Sequence, residues 1–223
     1  MGKWTRRAFI GAGALAGGGL VLGVTGAIVA PSRHSVRPDD ADATGQLNTW
    51  ILVTPDNIVT VIVPHCEMGQ GAQTALAMMA AEEMDAEWSL VRIKEAPALD
   101  EYANAYIMHA YLGAPRALER GYEYGMYRLA RLAGLQITGG SLSVRTTGQC
   151  AIRLGGAAAR EMIVAAAAKQ FGVKASECTV ANSRVTHASG KSATFGELAK
   201  AAVRESVPSH PAPKDPDKYT VRR

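Results

Sequence analysis

The sequence predicts an α+β fold, with β-hairpins packed against helices, and three observations carry that prediction. Two short apolar stretches joined by a turn occur near each end of the body, at residues 50–53 with 58–63 and at 178–181 with 184–187. Between them, segments of helical period alternate with glycine-rich connectors. The chain has 223 residues, of which 48% are hydrophobic and 20% charged, which is enough apolar material for a core and too much for intrinsic disorder.

Charge divides unevenly along the chain. Residues 1–38 hold Lys3, Arg6, Arg7, Arg33 and Arg37 with no acid, leaving 19 basic against 20 acidic side chains in the remainder. The net +4 therefore belongs to the leader, and the body has no global charge to attract a polyanion. No base-stacking aromatic motif restores a nucleic-acid reading. Thr5-Arg6-Arg7-Ala8-Phe9-Ile10, followed by uncharged Gly- and Ala-rich sequence to Ala30, has the pattern of a twin-arginine export signal. Seven glycines between Gly11 and Gly26 make this stretch a poor membrane span. The expectation is a periplasmic protein with a signal over residues 1–30, with retention as an inner-membrane anchor left open. The hexapeptide from Gly11 to Ala16 matches a dinucleotide fingerprint, but no strand precedes it and it is rejected.

Residues 31–48, with Pro31, Pro38, Asp39, Asp40 and Asp42, read as a linker. The first hairpin turns at Pro55-Asp56-Asn57 and stops at Pro64. Over residues 72–85, Ala72, Leu76, Met79, Ala80 and Met84 fall on one helical face, with Gln73, Glu82 and Glu83 off it. A short strand is predicted at 90–95, a loop at 97–111 and a helix at 115–132. Residues 139–147 read as a turn-rich polar connector opening a long Ala-rich helix at about 149–171. On that helix Gly155, Gly156, Ala158 and Ala159 permit close approach by a neighbour. The second hairpin turns at Asn182-Ser183, and an amphipathic helix is predicted at 195–205. The folded domain is expected over 49–206, with residues 207–223 an exit segment.

Two segments carry chemistry. Glu67-Met68-Gly69-Gln70-Gly71-Ala72-Gln73-Thr74 lies between a strand end and a helix start. Its glycines allow close approach by a ligand, and the helix N-terminus offers N–H donors to an anion. A plain strand-to-helix turn with Thr74 in the first turn is the alternative. Residues 138–147 repeat the recipe, with Gly139, Gly140, Ser141 and Ser143 before a helix and Arg145 adding charge. There the alternative is an N-cap supplied by Thr146 or Thr147. Cys66, Cys150 and Cys178 cannot all pair within the chain, and no CxxC motif is present, so this sequence alone holds neither an iron–sulfur cluster nor a c-type haem. A P-loop signature is also lacking.

Val63-Pro64-His65-Cys66-Glu67-Met68-Gly69-Gln70-Gly71, Ala81-Glu82-Glu83-Met84-Asp85, Thr138-Gly139-Gly140-Ser141-Leu142-Ser143-Val144-Arg145 and Gly156-Ala157-Ala158-Ala159-Arg160-Glu161-Met162 together resemble the xanthine dehydrogenase family of molybdenum hydroxylases. The likeness is to its bacterial isoquinoline 1-oxidoreductase and aldehyde dehydrogenase large (β) subunits and runs from the leader to about Tyr219. It implies that residues 49–206 form the N-terminal part of a molybdopterin-binding domain. The implied cofactor is molybdopterin cytosine dinucleotide carrying molybdenum, with the metal held by the pterin sulfurs. Gly69, Gln70, Gly71 and Thr74 then approach the cofactor from one segment, and Gly140, Ser141 and Ser143 from the other. Cys66 stands where a small polar residue is expected.

Large subunits of this kind continue well beyond a segment like Lys214-Asp215-Pro216-Asp217-Lys218-Tyr219, and their general base lies further on. No catalytic residue is therefore assigned here. The resemblance implies a component completed by a downstream large-subunit polypeptide, with [2Fe-2S] clusters in a small partner subunit and electrons passing on to a c-type cytochrome subunit. Oxidation of aldehydes or N-heteroaromatics by hydroxylation with water is the implied activity. The competing expectation is a non-enzymatic remnant or membrane-anchored interaction module of the same fold.

Overall fold

The computed structural model describes residues 45–104, 130 and 136–220. The leader, most of the linker and the predicted helix at 115–132, apart from Ala130, lie outside the described residues, as does the predicted loop from 105 onward.

The first hairpin forms as expected. Strand β1 (Ile51–Val53) pairs antiparallel with β2 (Val59–Val63). Asn57 takes a left-handed φ of 68° at the turn, a conformation asparagine tolerates better than most residues. Val59, Val61, Ile62 and Val63 are all buried, because β2 is the central strand of its sheet. Helix α1 (Ala72–Met84) crosses over from β2 to β3 (Val91–Glu95), which lies parallel to β2. The sheet order is β1-β2-β3, and the connection is a βαβ unit in which the MGQG-bearing loop sits at the C-terminal end of β2.

The segment 139–147 corrects the sequence reading. It is not a polar connector: Gly140–Thr147 is helix α2, continuous through a single π-turn at Gly148–Ile152 with α3 (Arg153–Phe171). Gly139 precedes the first turn, and its N–H donates to the Ser143 hydroxyl at 2.7 Å. Neither Thr146 nor Thr147 is an N-cap. The Thr146 hydroxyl donates to the Leu142 carbonyl one turn back, and that of Thr147 meets a residue outside the helix.

Helix α3 packs along α1, and its small residues do what was expected of them. A Cβ at Gly156 would stand 2.9 Å from Cβ of Glu83 and 3.1 Å from the Ala80 carbonyl oxygen, and one at Gly155 would stand 2.9 Å from Cδ1 of Trp50. At Gly156 these are backbone and Cβ atoms, which have no room to yield. Gly156→Leu is expected to cost about 1–3 kcal/mol by forcing the two helices apart, read as a lower urea midpoint at unchanged slope.

A second sheet of order β4-β5-β6 closes the domain: β4 (Cys178–Ala181), β5 (Arg184–His187) and β6 (Ser192–Thr194), all antiparallel. Asn182 and Ser183 both have positive φ, 50° and 56°, as a two-residue hairpin turn of matching twist requires. Ser183 plugs into the end of α1, its N–H donating to the Asp85 carbonyl at 3.0 Å and its hydroxyl accepting from Glu87 N–H at 2.9 Å. Helix α4 (Phe195–Ala202) begins with a reciprocal cap between Thr194 and Glu197, and those contacts hold the Glu197 carboxyl below its usual range. Phe195 and Leu198 are fully buried in the same core as Leu47, Ile51, Leu76 and Met162.

On α1 the expected face is only half right. Ala72, Leu76, Ala80 and Met84 are buried, but Met79 is half-buried, and Glu82 and Glu83 are inside at 4% and 0% exposure. The helix is covered on two sides. Residues 212–220 return across it and bring the groups that satisfy both carboxylates. Among the described residues, no helix is long and apolar enough to cross a membrane.

Candidate functional site

The βαβ crossover and the α2 segment come together at one end of the domain. Cys66 N–H donates to the Thr138 hydroxyl at 3.1 Å, and Nε2 of His65 lies 2.8 Å from the Thr147 hydroxyl. These two contacts tie the strand-to-helix loop to both ends of the second glycine-rich segment. The residues that make them, His65, Thr138 and Thr147, were not singled out as site residues. Their signal was weak, because each bond spans more than 70 positions and no local pattern announces it.

His65 is 2% exposed, and burial pushes its pKa down to about 4. The ring is neutral at physiological pH, and the Ile137 backbone offsets only part of the effect of burial. The buried ring sits beneath the loop between the Thr147 hydroxyl and the Ile137 backbone.

The loop is closed by its own side chains. Oε1 of Glu67 accepts the N–H of Gly69 and of Gly71, each at 2.9 Å, and Oε2 accepts that of Gln73 at 3.2 Å. These donors, Gly71 foremost, hold the carboxyl below its usual range. The N–H groups expected to cradle an external anion are thus engaged by an internal carboxylate. Glutamate occurring just before a glycine pair and a helix start was the sequence signal for this. Gln70 spans the same loop, its amide NH2 donating to the Cys66 carbonyl at 2.7 Å while its amide oxygen accepts from Met68 N–H. Gln73 anchors the first turn of α1 by donating to the His65 carbonyl and to Glu95 on β3, each at 3.1 Å.

Outward, the loop is open. Gly69, Gly71 and Gly140 have φ of 86°, 71° and 53°, and among the described residues a Cβ on any of them would meet nothing within 4 Å. None of the described residues covers their backbone, which a flat ligand can therefore approach closely. Met68 is 68% exposed, Cys66 and Thr74 are exposed, and Gln70 is half-buried. On the other segment Ser141 and Arg145 are exposed on α2, whereas Ser143 is buried and its hydroxyl is engaged by Gly139. Cys66 carries a free thiol, as does Cys178. Among the described residues, no group of three or more His, Cys, Asp or Glu side chains is placed to hold a metal ion.

Residues 5–107, which include the whole of the closed loop, match the model of the molybdopterin cofactor-binding domain. The matched residues belong to the molybdopterin cofactor-binding domain family. Over 193 residues, 83% of its length, it is 32% identical to the isoquinoline 1-oxidoreductase subunit beta of Brevundimonas diminuta. Over 161 residues, 72% of its length, it is 34% identical to a membrane-bound aldehyde dehydrogenase of Gluconacetobacter polyoxogenes whose name specifies pyrroloquinoline quinone. The chain spans 21% of the first relative and 16% of the second. This molybdopterin-binding domain is thus homologous to a small part of large oxidoreductase subunits.

The open glycine backbone on both segments fits the close approach of a flat pterin ring.

Proposed function

We propose that this domain is the N-terminal component of a molybdenum hydroxylase large subunit, acting on aldehydes or N-heteroaromatics. It contributes one wall of a molybdopterin cytosine dinucleotide site, and the rest of the pocket comes from large-subunit sequence beyond these residues. The observation that carries the proposal is the joining of the 64–74 loop to the 138–147 segment through Cys66–Thr138 and His65–Thr147. Two glycine-rich segments far apart in sequence present their open backbones at one place.

In this reading Gly69, Gln70 and Gly71 lie against the pterin, with Thr74 at the start of α1. Gly140 and Ser141 meet the dinucleotide phosphates, while Ser143 acts from inside α2 by fixing Gly139 and the first helical turn. Glu67 keeps the loop N–H groups engaged, so phosphate charge is directed toward the α2 side and Arg145. When bound, the molybdenum cofactor supplies two-electron oxidation with water as the source of oxygen. The residues of this domain hold and orient the cofactor; the general base lies elsewhere. A small [2Fe-2S] subunit and a c-type cytochrome subunit would take the electrons, and the twin-arginine leader would deliver the folded protein to the periplasm, where it serves as signal or anchor.

Gln70→Ala tests the loop. Molybdenum per chain in the assembled protein, measured by elemental mass spectrometry, is expected to fall several-fold while the far-ultraviolet circular dichroism stays unchanged. Equal molybdenum in variant and wild type would count against the assignment.

A further inference from the structure

Among the described residues, a densely bonded polar cluster lies away from the candidate site, at the C-terminal end of α1. Glu83 is fully buried. It accepts from Arg153 Nε at 2.7 Å, from the Tyr219 hydroxyl at 2.6 Å and from the Lys214 backbone N–H at 2.7 Å. Glu82, 4% exposed, accepts from Thr220 N–H at 2.7 Å and faces Lys214 Nζ at 3.4 Å. Lys214 Nζ also pairs with Asp85 at 2.6 Å.

Arginines on α3 hold the other side of the same segment. Arg153 donates to the Lys214 carbonyl at 2.9 Å and lies over the Tyr219 ring, 5.3 Å from its centroid. Arg160 bridges the Glu83 and Ala212 carbonyls, each at 2.8 Å, and Glu161 accepts from Ala212 N–H at 2.8 Å. The residues from Ala212 to Thr220 thus offer both backbone and side chains to groups on α1 and α3. Apart from one 3₁₀ turn at Pro216–Lys218, the segment has no regular structure of its own to hold it there.

Burying two adjacent carboxylates is costly unless each is paired and hydrogen-bonded. Core packing alone does not call for them, since α1 already buries Leu76, Ala80 and Met84. What the pair does is read one peptide: the lysine at 214, which Asp85 also holds, the tyrosine hydroxyl at 219 and the N–H groups of 214 and 220 each meet a Glu82 or Glu83 oxygen. We propose that the Glu82–Glu83 end of α1, with Arg153 and Arg160 of α3, is a self-sufficient docking socket for the 212–220 strap. The socket binds the strap as a peptide ligand, whether or not the two are covalently continuous, and so fixes the point at which following sequence leaves the domain. This assignment is independent of the cofactor reading, because the strap engages the opposite end of α1 from the glycine loop.

The test cuts the strap free from the folded full chain. A protease site inserted between Ser209 and His210, both exposed, is cleaved after purification, and the nicked protein is passed through gel filtration. The 210–223 fragment is expected to co-elute with the body and to exchange with an added fluorescent peptide of the same sequence. Peptides carrying Tyr219→Phe or Lys214→Ala are expected to bind at least tenfold more weakly. Both substitutions lie on the ligand, so the fold of the body is not put at risk. Departure of the fragment, with the body folded or unfolded, would overturn the proposal. Equal binding by the wild-type and substituted peptides would overturn it as well.

Discussion

Glu83→Ala is expected to lower the stability of the domain by about 3–5 kcal/mol, the penalty for removing one member of a buried, hydrogen-bonded ion pair. Three donors lose their acceptor at once: Nε of Arg153, the Tyr219 hydroxyl and the Lys214 N–H. The side chain of Arg153 is only 13% exposed, so water does not fully replace the lost carboxylate. Urea unfolding of wild type, Glu83→Ala, Arg153→Met and the double variant measures this directly. The double variant is expected to recover part of the loss, because it no longer buries an unpaired charge. A Glu83→Ala protein within about 1 kcal/mol of wild type, the range of an exposed ion pair, would show that the carboxylate is not the buried hub described here.

The second large effect is acid sensitivity at His65. Its ring titrates at about 4 in the fold against 6.5 when exposed, because burial disfavours the charged form. The unfolded chain therefore binds more protons than the folded one between those values. The histidine's contribution is complete above pH 6.5, declines as pH falls toward 4 and is flat below that. The gap corresponds to about 3 kcal/mol over the whole window. Depressed carboxyls such as Glu67 and Glu197 add their own loss only in the lower part of this range and below it. The limb between pH 6.5 and about 5 is thus the histidine's. His65→Gln is expected to flatten that limb in a series of urea titrations, and an unchanged slope in the variant would assign it elsewhere. The same acid step should loosen the junction between the two glycine-rich segments, since it acts on the ring bonded to Thr147.

What the sequence made legible was local. Both hairpins follow from apolar runs around asparagine-containing turns, where Asn57 and Asn182 adopt the left-handed backbone that other residues resist. Helix α1 and the close approach at Gly155 and Gly156 follow from the 3.6-residue period and from residue size. The misreadings came from long-range bonds. Glu82 and Glu83 belong outside on any amphipathic count, and only partners about 70 to 140 positions away make their burial possible. Residues 139–147 look like a turn because of Gly139, Gly140 and two serines. A hydrogen bond from Gly139 to Ser143 and packing against α1 make most of them helix instead. Three-residue strand β6 carries too short a pattern to be seen at all. At the site, the glycines and Gln70 were visible as a motif. Glu67 closes the loop through N–H groups only two to six positions on, whereas His65 as the link beneath it emerges only when strand, loop and α2 are brought together.

Elemental and nucleotide analysis of the native protein, extracted gently and passed through gel filtration with whatever chains accompany it, tests the central claim most directly. Molybdenum and a cytidine-containing pterin in near-equal amount to this chain, with further large-subunit sequence and an iron–sulfur subunit in the same peak, is the predicted result. A folded chain that carries neither molybdenum nor pterin, and elutes with no such partner, would contradict it.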